Sequence, residues 1–468
     1  MDAKLDRLVK SYLPKLVQCV CESTQIASLY KEDASGFPYG LEIARAADHA
    51  MGCAQHLGFT VRDLDGKVCW AEYGEGDEYV AAMGHLDVVP PGEGWVFDPF
   101  CGQVKNGYIL GRGTQDDKGP LFSTLFALKA VAELGVPLSK RVRIIFGMDE
   151  ESGKMRDVAA YLASEKPPLY AFTPDGAYPV VNTEKGTIKF KSRASFSDGT
   201  EAPLRLESVA GGESLGSVPA HAEAVLVGAR PALDAAAAIL AKAARTKGWE
   251  ISLRSEEGRL TLAVAGKAAH ATLPSLGANA AGRLLVLLNK AKLEGEAGAF
   301  IEFLATKFGV ESDGASLGIK ASHLHCGNIT VNLAMIEGDA SGMTVTCGIY
   351  IPAETITFDQ VRTVMCDNFT QAGASFEPFA ETAPMYYSPN HPLIKTLQAG
   401  YSNATGKEAT LVSMCGGTYS KRMPNMVPYG ATFDDEDDRA HGANERLLIT
   451  NLMESTRLMA YAIWEMAK

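Results

Sequence analysis

Strands that alternate with helices, each strand running into a turn loaded with polar donors, constrain this chain more than any other feature of its sequence. Tyr79-Val80-Ala81-Ala82-Met83 and Val142-Arg143-Ile144-Ile145-Phe146-Gly147-Met148 are apolar runs of strand length, and a shorter one spans 169–173. A largely apolar helical pattern, opened by Pro120, separates the first two, and a helix-like stretch at 155–164 separates the last two. Helical spacing also marks 4–25 and 39–57, while 60–71 reads as a further strand. Strands joined through helices predict an α/β fold, a mainly parallel sheet with helices on both faces. Ligands of such sheets collect beyond the carboxyl ends of the strands. His85-Leu86-Asp87, Asp149-Glu150-Glu151 and Thr173-Pro174-Asp175 all lie there.

The character of the chain changes after Lys185-Gly186. Between 187 and 384 the pattern becomes hairpin-like strands at 251–265, helical stretches at 232–245, 278–290 and 357–372, and strands at 326–336 and 343–351. This predicts an inserted α+β domain over 187–384, suggestive of two similar halves but without a clean repeat. The α/β style resumes near 385 and closes with a helix at 444–466, so 1–186 and 385–468 are expected to form one domain.

Composition removes several function classes. The 468 residues are 46% hydrophobic, ample for two or three cored domains, and carry a net charge of −12. So acidic a chain lacks the basic face that nucleic acid or an anionic membrane requires. Nine scattered cysteines without a Cys-x-x-Cys pair predict reduced thiols in a cytoplasm. The N-terminal stretch mixes charge through an amphipathic pattern, unlike a signal peptide or a membrane span.

His85, Asp116, Glu151, Asp175 and His441 are nitrogen and oxygen donors of the kind a borderline cation such as zinc prefers. Two imidazoles and three carboxylates satisfy a pair of ions if one carboxylate bridges. Such a pair lowers the pKa of a shared water and polarises a carbonyl. A carboxylate that binds no ion must then act as base, and the adjacent Glu150 and Glu151 offer one residue for each role.

All but His441 sit in the first four of five ordered motifs: His85-Leu86-Asp87-Val88-Val89-Pro90, Gly111-Arg112-Gly113 through Asp116-Asp117-Lys118-Gly119, Asp149-Glu150-Glu151-Ser152-Gly153, Thr173-Pro174-Asp175, and Cys415-Gly416-Gly417-Thr418-Tyr419. Together they resemble the M20 family of zinc metallopeptidases, and most closely its PepV-like dipeptidases, from about residue 5 to the C-terminus. The resemblance implies two divalent ions, zinc first with Mn²⁺ or Co²⁺ as alternatives. His85 and Asp175 would hold one, Glu151 and His441 the other, with Asp116 bridging. It further implies that Asp87 orients or tunes His85 and that Glu150 moves the proton from the attacking water to the leaving amine. The family's cis peptide would fall between Asp116 and Asp117. The inserted domain resembles the family's lid: Gly266-Lys267-Ala268-Ala269-His270 carries the histidine that would donate to the developing oxyanion, and Gly277-Ala278-Asn279 follows it. His49, His56, His221, His323, His325 and His391 have no such motif and are read as structural or surface residues.

The expected protein is thus a cytoplasmic, monomeric di-zinc peptidase acting on dipeptides or similar small substrates. Candidate substrate-binding residues are Asn279, Gly416, Gly417, Thr418, Lys421 and Arg422. One departure stands out. PepV-like enzymes are expected to grip the substrate carboxylate with a lid asparagine and a lid arginine, and here Gly216 and Tyr350 occupy those positions. A deacylase or amidase acting on N-acylated or modified amino acids is therefore the alternative. A non-catalytic metal- or ligand-binding relative is the rival of another class, disfavoured by the presence of Glu150.

Overall fold

The computed structural model describes residues 2–32, 36–197, 202–434 and 437–468. The chain divides into two compact units, Met1–Thr183 with Met385–Lys468, and Glu184–Pro384. The division follows the hydrogen bonding. Val180–Glu184 pairs with Met385–Tyr386 and Leu411–Met414 in a small sheet of the first unit, whereas Gly186–Ser195 already belongs to the sheet of the second.

In the first unit Arg141–Gly147, Tyr79–His85, Ala171–Thr173 and Met426–Pro428 are successive parallel strands of a six-stranded sheet. Cys69–Tyr73 and Thr60–Asp63 extend it antiparallel at one edge. The stretch 60–71 is therefore the larger part of a hairpin and not one strand. Asp65 and Gly66 both take positive φ, and Asp63 Oδ1 accepts the Gly66 N–H at 3.2 Å, which turns the chain between the two strands.

Strand alternation sorts the apolar runs onto two faces. Val80, Ala82, Val142, Ile144 and Phe146 enter a core with helices Asp2–Thr24, Leu41–His56, Lys118–Leu134, Pro392–Thr405 and Ile449–Ala467. Tyr79, Ala81, Met83 and Ile145 enter another, with Val158 and Tyr161 of helix Arg156–Ser164 and with Tyr419, Met423 and Met426. Burying each large aliphatic or aromatic side chain contributes about 1.5–3 kcal/mol. A one-residue slip would exchange the faces, so these strands hold their register and their ends stay aligned.

The inserted unit is built on one continuous antiparallel sheet of eight strands, in the order Ile251–Glu256, Arg259–Ala265, His221–Gly228, Leu204–Gly211, Thr330–Asp339, Gly342–Ile351, Gly186–Ser195 and Glu377–Thr382. Helices Arg230–Lys247, Ala280–Ala291, Gly295–Lys307 and Phe358–Gln371 share one apolar core with it. Several elements escape a reading by pattern, strands Gly186–Ser195, Leu204–Gly211 and Glu377–Thr382 among them, and two show why. Gly295–Lys307 contains two poor helix formers, Gly295 and Gly298, and packs Phe300, Ile301 and Leu304 inward. His221–Gly228 buries Ala222 and Ala224 beside Leu226, and alanine carries little strand signal. No helix among the described residues is long and apolar enough to cross a membrane.

Candidate metal centre and active site

The carboxyl ends of the parallel strands bring the expected donors together. His85 is the last residue of its strand, Asp175 follows Ala171–Thr173, and Glu151 lies in the turn after Arg141–Gly147. Asp116 just precedes helix Lys118–Leu134, and His441 lies on the way into helix Ile449–Ala467. His85 Nε2 stands 2.9 Å from Asp116 Oδ1 and 3.8 Å from Asp175 Oδ2. His441 Nε2 stands 3.1 Å from Asp116 Oδ2 and 3.1 Å from Glu151 Oε2. The result is two sets of three donors, His85–Asp116–Asp175 and Asp116–Glu151–His441, with the donor atoms of each set within 4.8 Å of one another. Asp116 belongs to both and turns a different oxygen toward each histidine.

The local field favours cations. Hydrogen bonds to Asp116 and then Glu151 raise the His441 imidazole to about 11. Burial pulls His85 down, but Asp116, Asp87 and Asp117 outweigh it, and the imidazole ends well above its ordinary value. Whatever favours a proton on these nitrogens also favours a divalent ion held by the same atoms. Nitrogen and carboxylate donors at these separations fit the ions that the sequence implies.

Backbone groups set the orientation of the donors. His85 Nδ1 lies 2.9 Å from the Asp87 carbonyl oxygen, which places its proton there and turns the Nε2 lone pair toward Asp116 and Asp175. The Asp87 carboxylate, 3.6 Å from the same ring, instead accepts the N–H groups of Glu150 at 3.3 Å and Glu151 at 2.9 Å. Asp87 thus acts on His85 through its main-chain carbonyl and the charge of its nearby carboxylate, and that carboxylate also holds the turn that presents both glutamates. Glu150 is 8% exposed. Burial pushes its carboxyl well above the usual range, with His85 opposing and Asp175, Glu151 and Asp87 reinforcing the rise.

Several residues outside the motif assignments support this centre. The Asp116–Asp117 peptide is cis. Asp117 Oδ2 accepts the His85 N–H at 3.0 Å and lies where a Cβ on Gly84 would come within 2.2 Å of it. Glu445, fully buried, accepts the N–H groups of Gln115 at 2.8 Å and Asp116 at 3.3 Å, and pairs with buried Arg112 at 2.6 Å. Lys118 Nζ, equally buried, donates to the carbonyls of Ser23 and Ile26, both at 2.8 Å. Beneath the Glu150–Glu151 turn, Asp157 accepts the N–H groups of Met148 and Asp149 and the hydroxyl of Tyr419. Arg112, Lys118 and Tyr419 were visible as motif members, but their partners were not.

The loop before Tyr419 is less uniform. Gly416 and Gly417 are exposed, with the Lys421 side chain lying against Gly417 and Arg422 reaching into solvent. Thr418 is buried, and its hydroxyl caps the turn at Tyr419–Lys421 by accepting the Ser420 N–H at 3.2 Å. In the inserted unit, Asn279 caps helix Ala280–Ala291 through the Gly282 N–H at 2.9 Å, while its amide donates to the Leu333 carbonyl at 2.8 Å. These bonds fix the side chains of Asn279 and Thr418, two of the residues that the sequence offers as substrate contacts. His270 is exposed, and its Nδ1 accepts the Thr272 N–H at 3.4 Å with Thr272 Oγ1 at 2.6 Å. Gly216 is exposed, and Tyr350 lies buried in strand Gly342–Ile351.

Peptidase family M20/M25/M40 matches residues 81–465, and the chain belongs to that family. It is a hydrolase, and divalent metal ions are the cofactors that membership implies. Among its relatives is a Bacillus subtilis protein named "Putative dipeptidase YtjP", 34% identical over 461 residues that cover 97% of each chain. The fold is similar to that of human carnosine dipeptidase 1, with a TM-score of 0.59 at 16% identity, over 99% of this chain and 98% of that one. It is also similar to an M20 family metallo-carboxypeptidase from Sulfolobus solfataricus, with a TM-score of 0.56 at 14% identity, over 96% and 99%.

Proposed function

We propose that this chain is a di-metal dipeptidase, a cytoplasmic monomer that cleaves the peptide bond of dipeptides or short related substrates. The observation that best supports this reading is the sharing of Asp116 between two three-donor sets, with buried Glu150 in the adjoining turn. His85 and Asp175 are assigned to one ion, Glu151 and His441 to the other, and Asp116 to both. Zinc suits this donor set, and Mn²⁺ or Co²⁺ can use the same atoms. Bound there, the ions would acidify a shared water and polarise the scissile carbonyl.

The chain's own groups supply the rest. Glu150 accepts a proton from the attacking water and returns it to the leaving amine, a transfer its position beside the donors permits. Asp87 keeps that carboxylate in place through the two amide bonds of the turn. His270, assigned on its motif alone, donates to the developing oxyanion. The inserted unit is assigned the part of a lid.

The test is a panel of dipeptides and N-acyl amino acids offered to metal-free and metal-reconstituted protein, with metal content checked by elemental analysis. Turnover that appears only with metal is expected, and full activity in verified metal-free protein would refute the reading. One observation favours a second reading in which the substrate's far end is an amide or otherwise modified. Glycine at 216 has no side chain, and a buried phenol at 350 cannot form the bidentate pair that arginine makes with a carboxylate.

A further inference from the structure

Away from the candidate centre, two cysteines meet between the first two helices. Cys19 of Asp2–Thr24 and Cys53 of Leu41–His56 have their sulfurs 3.2 Å apart, with the Cys53 thiol donating to Cys19. Cys19 is buried, whereas Cys53 is partly exposed. His49, one turn before Cys53, places Nε2 3.7 Å from the Cys53 sulfur and 3.2 Å from Glu22 Oε2. The hydrogen bond from Cys53 holds the Cys19 thiol below its ordinary value, while that bond and burial push the Cys53 thiol up, so Cys53 carries the proton and His49 Nε2 lies within reach to take it. The residues that follow Cys19 are tied to the wall of the candidate centre. The Ser23 and Ile26 carbonyls hold Lys118, and Ser28 bonds to the Leu86 carbonyl and the Val88 N–H.

We propose that Cys19 and Cys53 form a reversible dithiol–disulfide site, oxidised by low-molecular-weight disulfides and assisted by His49 and Glu22. Cys53, the more exposed sulfur, gives its proton to His49 Nε2 as it attacks the small disulfide. It forms a mixed disulfide and expels one thiolate. Cys19 then attacks the Cys53 sulfur, closing the Cys19–Cys53 bond and expelling the second. Two electrons pass to the small disulfide, which leaves as two thiols carrying the two protons that the cysteines lost. Excess small thiol reverses both steps. The closed bond clamps the first helix to the second, just before the residues that brace Lys118 and the Leu86–Val88 strand end. It is a redox device suited to a reducing compartment, where it would stay open until the small-disulfide level rises.

Full-length reduced protein is incubated at graded ratios of oxidised to reduced glutathione, remaining thiols are alkylated, and peptides are identified by mass. A Cys19–Cys53 linked peptide is expected as the main disulfide, increasing with the ratio, reversed by reduced glutathione and absent from Cys53→Ala. The oxidised wild-type protein should melt several degrees higher than the reduced protein, since closing the loop restricts the unfolded chain. Two results would overturn the site: both thiols alkylated at every ratio while exposed Cys366 takes up glutathione, or links from Cys19 or Cys53 to other cysteines. His49→Gln should slow formation of the bond severalfold without lowering the melting temperature of the reduced protein. An unslowed rate would remove His49 and Glu22 from the device.

Discussion

At the scale of single residues, the adjacent glutamates make the sharpest test. Glu151 stands 3.1 Å from His441 Nε2 and belongs to a three-donor set, whereas Glu150 belongs to neither. Glu150→Gln is expected to keep metal content near normal while lowering kcat by ~10²–10⁴-fold, the range of a general base. Glu151→Gln should instead lower the metal bound per chain, measured by elemental analysis. The reverse pattern would mean that the two roles are exchanged. The proposed reading that Gly216 and Tyr350 stand where an asparagine and an arginine would grip a substrate carboxylate has a kinetic test. A dipeptide amide should be cleaved with higher kcat/KM than the free dipeptide. Equal or better turnover of the free dipeptide, in a Lys421→Ala, Arg422→Ala protein as well, would count against an amide-selective site.

At the scale of elements, the strand ends are held by close packing as much as by hydrogen bonds. A Cβ on Gly84 would lie 2.2 Å from Asp117 Oδ2 and 3.1 Å from Leu121 Cβ, with no open side to move into. Gly84→Ala should cost about 1–3 kcal/mol of stability as an overpacked core position. It should also lower metal occupancy, because Asp117 holds the His85 N–H. Denaturant unfolding and metal content would be measured together, and a variant normal in both would show that Asp117 can be displaced freely. The turn that carries Glu150 rests on Asp157, whose partners include the Tyr419 hydroxyl. Tyr419→Phe keeps the ring and removes one donor from a buried carboxylate, for an expected loss of about 1–3 kcal/mol. If the melting temperature is unchanged, that bond contributes nothing.

At the scale of the whole molecule, the donors are spread over a chain interrupted by 201 inserted residues, Glu184–Pro384. His441 lies after the insertion and the other donors before it. Ions that bind the folded chain and not the unfolded one stabilise it by mass action. Excess chelator should therefore lower the melting temperature by several degrees, and restored Zn²⁺ should bring it back. A melting temperature indifferent to chelation would place the ions, if bound, outside the cooperative structure.

How much of this was legible in advance follows from the range of the interactions. Strand and helix are written in local periodicity, so the apolar runs at Tyr79–His85 and Arg141–Gly147 can be read directly. The candidate donors, His441 apart, are legible as four motifs that close strand-like runs or open a helix, and the fold brings them within reach of one another. Elements of weak local signal were missed, as with the glycine-bearing helix Gly295–Lys307 and the alanine-bearing strand His221–Gly228. What holds the donors in place was beyond any local reading. Arg112 and Glu445 are 333 positions apart, and Asp157 and Tyr419 are 262 apart. Asp87 lies beside the His85 ring, as the motif implies, and its carboxylate also serves two amides 63 and 64 residues onward, which no local pattern shows. A side chain's type and spacing tell what it can bind. Which group meets it depends on which strand ends the sheet order sets side by side, and only the folded chain decides that.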